Sequence, residues 1–164
     1  MAQLKDAQAG SDSEARCQIV RTLDIVGEKW SLLIVRDALR GRTRFSEFRD
    51  SLGAPSDILA TRLAKLVDEG VLEKRAYREA GSRERSSYHL TESGQGLALV
   101  IGALVQWGDT YRPYSGGKTS RMVDAADRSP VELAFVSAES STAGATLGPA
   151  DVAFVPGPAA RTAW

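Results

Sequence analysis

Arg44-Phe-Ser-Glu-Phe-Arg-Asp-Ser-Leu52, Gly53-Ala-Pro55 and Ser56-Asp-Ile-Leu-Ala-Thr-Arg-Leu-Ala-Lys-Leu-Val-Asp-Glu69 decide the fold of this chain. The first segment reads as a short helix, and Gly53 and Pro55 break the chain after it. In the second, Leu59, Leu63, Leu66 and Val67 recur at three- and four-residue steps, the apolar stripe of a helix that faces a core. Gly70 stops that helix, and either Pro55 or Ser56 opens it. Two short helices joined by a tight turn form a helix-turn-helix pattern.

Upstream, Ile19, Val20, Leu23 and Val26 predict a helix from Arg16 to Gly27, and Trp30 to Arg40 a second apolar helix closed by Gly41. Downstream the period changes to two. Val71–Arg78 and Arg85–Leu90 alternate like half-buried strands around the polar loop 79–84, a hairpin. Thr91 is a good N-cap for one long helix through Tyr111. From Pro113 the composition turns to Gly, Ala, Ser and Pro, with two apolar runs, Val131–Val136 and Val152–Val155, that suggest a small hairpin. The expected class is therefore α+β and mostly helical: a winged helix-turn-helix with a long C-terminal helix, which the resemblance given below makes a dimerisation helix, and a small β-hairpin extension. A purely structural α+β domain shares this order. The expected divisions are a flexible tail over 1–15, the winged domain over 16–112 and the extension over 113–164.

The chain has 164 residues, enough to bury a core without metals or disulfides. No apolar run is long enough to span a membrane, and the polar N-terminus lacks the core of a signal peptide. A single cysteine points to a reducing compartment, the cytoplasm. The formal net charge is zero, which argues at first sight against nucleic acid. The neutrality is a sum of unlike parts: −2 over 1–15, +3 over 16–112 and −1 over 113–164.

Several segments in the right order resemble the HxlR-type transcriptional regulators. They are Cys17 with Thr22-Leu-Asp-Ile-Val-Gly-Glu-Lys-Trp-Ser-Leu-Leu-Ile34, then Gly41-Arg-Thr-Arg-Phe-Ser-Glu-Phe48 and Leu59-Ala-Thr-Arg-Leu-Ala-Lys-Leu66. Glu69-Gly-Val-Leu72 and Tyr88-His-Leu-Thr-Glu-Ser-Gly94 complete the set. The resemblance covers about residues 16–112. It implies a homodimeric MarR-like winged-helix regulator that binds double-stranded, palindromic DNA through the second helix of the helix-turn-helix. Pro55, Asp57, Ala60 and Ser86-Ser87 depart from the family's usual residues, so the resemblance carries the fold further than the operator.

On this reading Thr61, Arg62 and Lys65 lie near base edges, because the leucine stripe leaves the other face of their helix unburied, and Ser56 is a further DNA-binding candidate. Arg42 and Arg44, with Arg40 in the same turn, and Arg83 and Arg85 at the hairpin tip, are expected on phosphate or in the minor groove. A solvated surface is the plainer reading of any one of these arginines. Cys17 aligns with a cysteine that senses oxidants in some family members; the alternative is a small hydrophobe at a dimer seam. Trp30, Trp107 and Tyr111 are candidates to line a small-molecule effector pocket, or simply pack. His89 reads as a surface strand residue. With one histidine and one cysteine, no metal quartet or catalytic triad is expected, and no cofactor. The extension resembles a C-terminal segment that carries cysteines in longer family members; here it lacks them, so a metal-free hairpin packed on the dimer is expected. The expected function is a DNA-binding regulator responsive to a small molecule or to oxidation. The alternative is a ligand-binding dimer of the same fold with weakened DNA binding.

Overall fold

The computed structural model describes residues 17–78, 83–138 and 144–155, which form two compact units divided between Ile101 and Gly102. Arg16, where the first helix was expected to begin, lies outside the described residues, as do 79–82 at the hairpin tip. The first unit runs α1 (Gln18–Val26), α2 (Lys29–Leu39), α3 (Phe45–Leu52), α4 (Ser56–Asp68), β1 (Leu72–Tyr77), β2 (Arg85–Leu90) and α5 (Glu92–Gly96). Then α6 (Ala98–Tyr111) leads into the second unit, which holds β3 (Phe135–Val136) and β4 (Thr146–Leu147). This is the α+β winged helix-turn-helix. Among the described residues no helix is long and apolar enough to cross a membrane.

The core of the first unit gathers one face from each helix. Ile34 and Val35 of α2, Phe48 of α3, and Leu59, Leu63 and Leu66 of α4 are completely buried, with Val71 and Leu72 closing the side toward the wing. Each leucine removed from water contributes about 2 kcal/mol. Pro55 is the N-cap of α4 and Ser56 its first residue, which resolves the choice the sequence left open. Between α3 and α4, Gly53 takes a left-handed φ of 61° and returns its amide to the Arg49 carbonyl at 2.9 Å. The Glu47 carboxylate caps α3, accepting from the amides of Thr43 (2.8 Å) and Arg44 (2.9 Å). These bonds, from Arg44 and then Thr43, hold its carboxyl below the ordinary glutamate range. Desolvation opposes them, and the Arg44 and Arg42 guanidiniums add to the lowering.

β1 and β2 pair antiparallel from Leu72 opposite Leu90 to Tyr77 opposite Arg85. The loop before α3 joins them as a short third strand: the Tyr88 amide donates to the Thr43 carbonyl at 2.7 Å and Arg44 bridges Ser87. Thr91 caps the next helix through its hydroxyl, which accepts from the Gly94 amide. One expectation is corrected here, since the run from Thr91 to Tyr111 is two helices. Leu97 interrupts them, its amide bonding three residues back to Gly94 at 3.2 Å in a tightened turn. α5 holds two glycines in five residues, and Gly94 is buried against the carbonyl of the distant Val71.

In the second unit, α6 presents Gly102 to Met122 and Leu133. Beside it the Gln106 side chain donates to the Leu133 carbonyl and accepts from the Leu133 amide, both at 2.9 Å. That amide side chain pairs with the extended segment as a strand would. β3 falls inside the expected Val131–Val136 run, but its partner is Thr146–Leu147 and not Val152–Val155. Gly148-Pro149 starts a single 3-10 turn through Asp151, which precedes the later run.

Two outcomes follow from this packing. A Cβ at Gly94 collides with the Val71 carbonyl oxygen and comes 2.9 Å from Leu90 Cδ2. Gly94→Ala should therefore cost about 1–3 kcal/mol in urea unfolding; a midpoint equal to wild type would contradict the packing. Because the folded Glu47 carboxyl is depressed, its contribution is present above the unfolded value of about 4.3 and lost as pH falls through the folded one. Glu47→Gln should be less stable at neutral pH by about 1 kcal/mol or less. The gap should close on acidification, and a gap that widened below pH 4 would contradict the sign.

Candidate nucleic-acid interface

The buried leucines of α4 fix what the helix shows to solvent. Ser56, Asp57, Ala60, Thr61, Ala64 and Asp68 form one exposed face, the positions three and four apart that the leucine stripe leaves over. This face carries two acids and no cation. The Thr61 hydroxyl donates to the Asp57 carbonyl at 2.8 Å and keeps its lone pairs toward solvent. Arg62 and Lys65 flank the face and are turned to the body of the domain. Arg62 pairs with Glu28 at 2.8 Å and Lys65 donates to the Asp24 carbonyl, both acceptors lying at the α1–α2 junction. The Arg62 Nε is buried without a hydrogen-bond partner among the described residues.

Cations stand instead on the wing and on the loop before α3. Arg78, Arg83 and Arg85 are exposed at the described ends of the wing strands. Arg44 lies over the ring of Tyr77, the last residue of β1, at 4.9 Å. Arg42 belongs to a cluster that sequence reading did not find. Asp37, fully buried in α2, faces Arg36 (2.8 Å), Arg42 (3.5 Å) and Arg40 (3.8 Å) through its Oδ1. The available signal was an acid one helical turn from Ile34, on the buried face, with arginines at 36, 40 and 42. On the wing face shared by Glu73, Arg75 and Ser87, His89 Nε2 meets the Ser87 hydroxyl at 3.0 Å, and that hydroxyl donates to the Arg75 carbonyl. His89 is thus half-buried in a local network.

The remaining candidates sit apart from these. Cys17, partly exposed, is the N-cap of α1. Trp30 packs against the first unit's core with Lys29 over its ring at 5.1 Å. In the second unit, Trp107 and Tyr111 are tilted rings 5.5 Å apart and both more than half exposed. Among the described residues no cluster of His, Cys, Asp and Glu has the makings of a metal site.

Comparison with known proteins agrees with this geometry. The model of the HxlR-like helix-turn-helix family matches residues 25–115. The HTH-type transcriptional regulator Rv3095 of Mycobacterium tuberculosis is 42% identical over 97 residues, 59% of this chain and 60% of that protein's length. The match thus spans about three fifths of that relative. The crystal structure of PA1607, a candidate transcription factor, is 36% identical with a TM-score of 0.73, covering 88% of this chain and 97% of that one. That span includes part of the C-terminal extension, since residues 1–112 alone fall short of it. The reduced form of the redox regulator HypR is 27% identical with a TM-score of 0.53, covering 58% of this chain and 94% of that one. A buried leucine stripe behind a solvent-facing α4, a wing at its side and a family match over more than half the chain lead to one conclusion: this chain belongs to the HxlR-like helix-turn-helix family of transcriptional regulators.

Proposed function

We propose that the protein works in the cytoplasm as a homodimer on a palindromic operator, α4 entering the major groove and the wing lying along the flanking minor groove. The observation that carries this is the uncovered face of α4, together with exposed arginines on the wing and on the loop bonded to it. Ser56 and Thr61 are then the groups aimed at base edges. Arg62 and Lys65 steady the helix against α1 and α2 and stand at the groove's margin. Arg42, Arg44, Arg83 and Arg85 meet phosphate or the minor groove. The two α4 helices of a dimer would read half-sites about 34 Å apart.

The dimer is argued from exposed apolar surface. Val100, Leu104, Trp107 and Tyr111 recur at steps of four, three and four, one stripe of α6, and each is at least 38% exposed. On α1, Ile19 and Leu23 are likewise more than half exposed, one turn apart. A helix apolar on nearly every side belongs inside an assembly, and a second copy is the cover that a symmetric regulator supplies. Trp107 and Tyr111 then lie at the seam, where a small aromatic or apolar effector would meet them. Trp30 serves the core.

Arg85→Ala should weaken binding to all sequences and lower the slope of log affinity against log salt by about one. An unchanged slope would take the wing out of the mechanism. Electrophoretic shifts with the protein's own upstream DNA test the whole reading. No shift at low salt, with retained binding of a small molecule, would favour the alternative of a ligand-binding dimer.

A second reading concerns Cys17. Its thiol is partly exposed at the N-terminus of α1, and HypR is a redox regulator of similar fold. As the chain's one thiol it switches by a disulfide across the dimer or by a mixed disulfide with a small thiol. Diamide should then change the DNA affinity of wild type and leave Cys17→Ser unaffected; equal responses would make Cys17 structural.

A further inference from the structure

The carboxylate of Asp37 lies with Ile34 and Val35 on the buried part of α2, and its side chain is wholly removed from water. A buried carboxylate is unfavourable unless cations and hydrogen bonds compensate it. One arginine would suffice for that, and Arg36 already makes a 2.9 Å hydrogen bond from Nε and a 2.8 Å contact from Nη2 to Oδ1. Arg42 and Arg40 nevertheless turn to the same oxygen, at 3.5 and 3.8 Å. Oδ2 is left without a hydrogen-bond partner among the described residues. The cluster therefore holds three positive charges against one negative charge.

The three guanidinium side chains remain 30–41% exposed, so each keeps some of its five N–H donors toward solvent. Arg40 and Arg42 border an open groove of about 700 Å³ with Gly41, Glu47, Asp50 and Ser51. Its two carboxylates are already engaged, Glu47 on the Thr43 and Arg44 amides and Asp50 on Arg49 at 2.9 Å. The loop that carries Arg42 runs into Thr43, whose carbonyl is bonded to the wing strand β2. We propose that Asp37 is a positioning residue that holds Arg36, Arg40 and Arg42 together as a site for the phosphodiester oxygens of DNA. Freely rotating arginines lose side-chain entropy on meeting phosphate; arginines gathered beforehand on one carboxylate lose less. The proposal rests on the DNA-binding reading above and adds Arg36, Arg40 and the buried acid to it.

The test turns on sign. Removing a negative charge raises the net charge and by long-range attraction alone strengthens DNA binding, whereas loss of positioning weakens it. Fluorescence anisotropy with a mixed-sequence duplex of about 30 base pairs, three helical turns, is read across a sodium chloride series. Asp37→Asn should bind several-fold more weakly than wild type with a shallower salt slope, its circular dichroism and thermal transition remaining cooperative. Arg40→Gln and Arg36→Gln should each lower the slope by about one. Binding by Asp37→Asn as tight as wild type with an unchanged slope overturns the proposal. If Asp37→Asn does not fold, the two arginine variants decide, and wild-type slopes in both overturn it. Inorganic phosphate at matched ionic strength should not displace the duplex; displacement would make this a free-anion site and also overturn it. Failure of wild type to bind the duplex at low salt removes the DNA-binding reading and the proposal together, while unaffected variants beside a binding wild type remove the proposal alone.

Discussion

Burial of Leu59, Leu63 and Leu66 along one side of α4 is the constraint on which the rest depends. With those three side chains withdrawn from water, the helix cannot rotate without exposing apolar surface, and rotation by one residue swings every side chain by about 100°. The face carrying Ser56, Asp57, Ala60, Thr61 and Ala64 is therefore the one left to solvent. The same packing places α3 across α4 through Phe48 and closes the domain onto the wing through Val71 and Leu72.

That face is poor in positive charge, and the arrangement of the arginines answers this. Arg62 is drawn to Glu28 and Lys65 to a backbone carbonyl at the end of α1, so the cations on α4 brace the helix as much as they offer charge. The positive groups with donors toward solvent stand on the wing and on the loop before α3. On the proposed reading, attraction to a phosphate backbone comes from these arginines, and the exposed hydroxyls of Ser56 and Thr61 are left to discriminate bases. A net charge of only +3 over residues 16–112 makes the balance between flanking arginines and nearby acids consequential for affinity.

α6 has two sides with different fates. Gly102 and Gln106 receive the extended segment around Leu133, through close approach at the glycine and two hydrogen bonds from the amide side chain. Val100, Leu104, Trp107 and Tyr111 are left uncovered. A stripe of that composition on a helix with few polar side chains is stable in water only when something covers it. The similarity to PA1607 over 88% of the chain shows that a winged domain followed by such an extension recurs in another protein.

Much of this was legible in the linear chain. The 3.6-residue period of the leucines, the Gly53-Ala-Pro55 break, the switch to a two-residue period after Gly70 and the arginines of the wing are local patterns, and local patterns decide element type and the face an element buries. The break at Leu97 was not legible, because it depends on Gly94 meeting the Val71 carbonyl from a distant part of the chain. The pairing of Phe135–Val136 with Thr146–Leu147 was missed because the later Val152–Val155 run has the stronger apolar pattern, while pairing is set by turn geometry. Nor could spacing alone tell that Arg62 and Lys65 turn to Glu28 and Asp24, or that Asp37 lies buried among three arginines. The sequence by itself determined which stretches become helix or strand and which sides are apolar, since those follow from neighbours three or four residues apart. Only the tertiary structure decided which charges face solvent and which are spent inside, because a long side chain takes its direction from whatever partner the folded chain brings within reach.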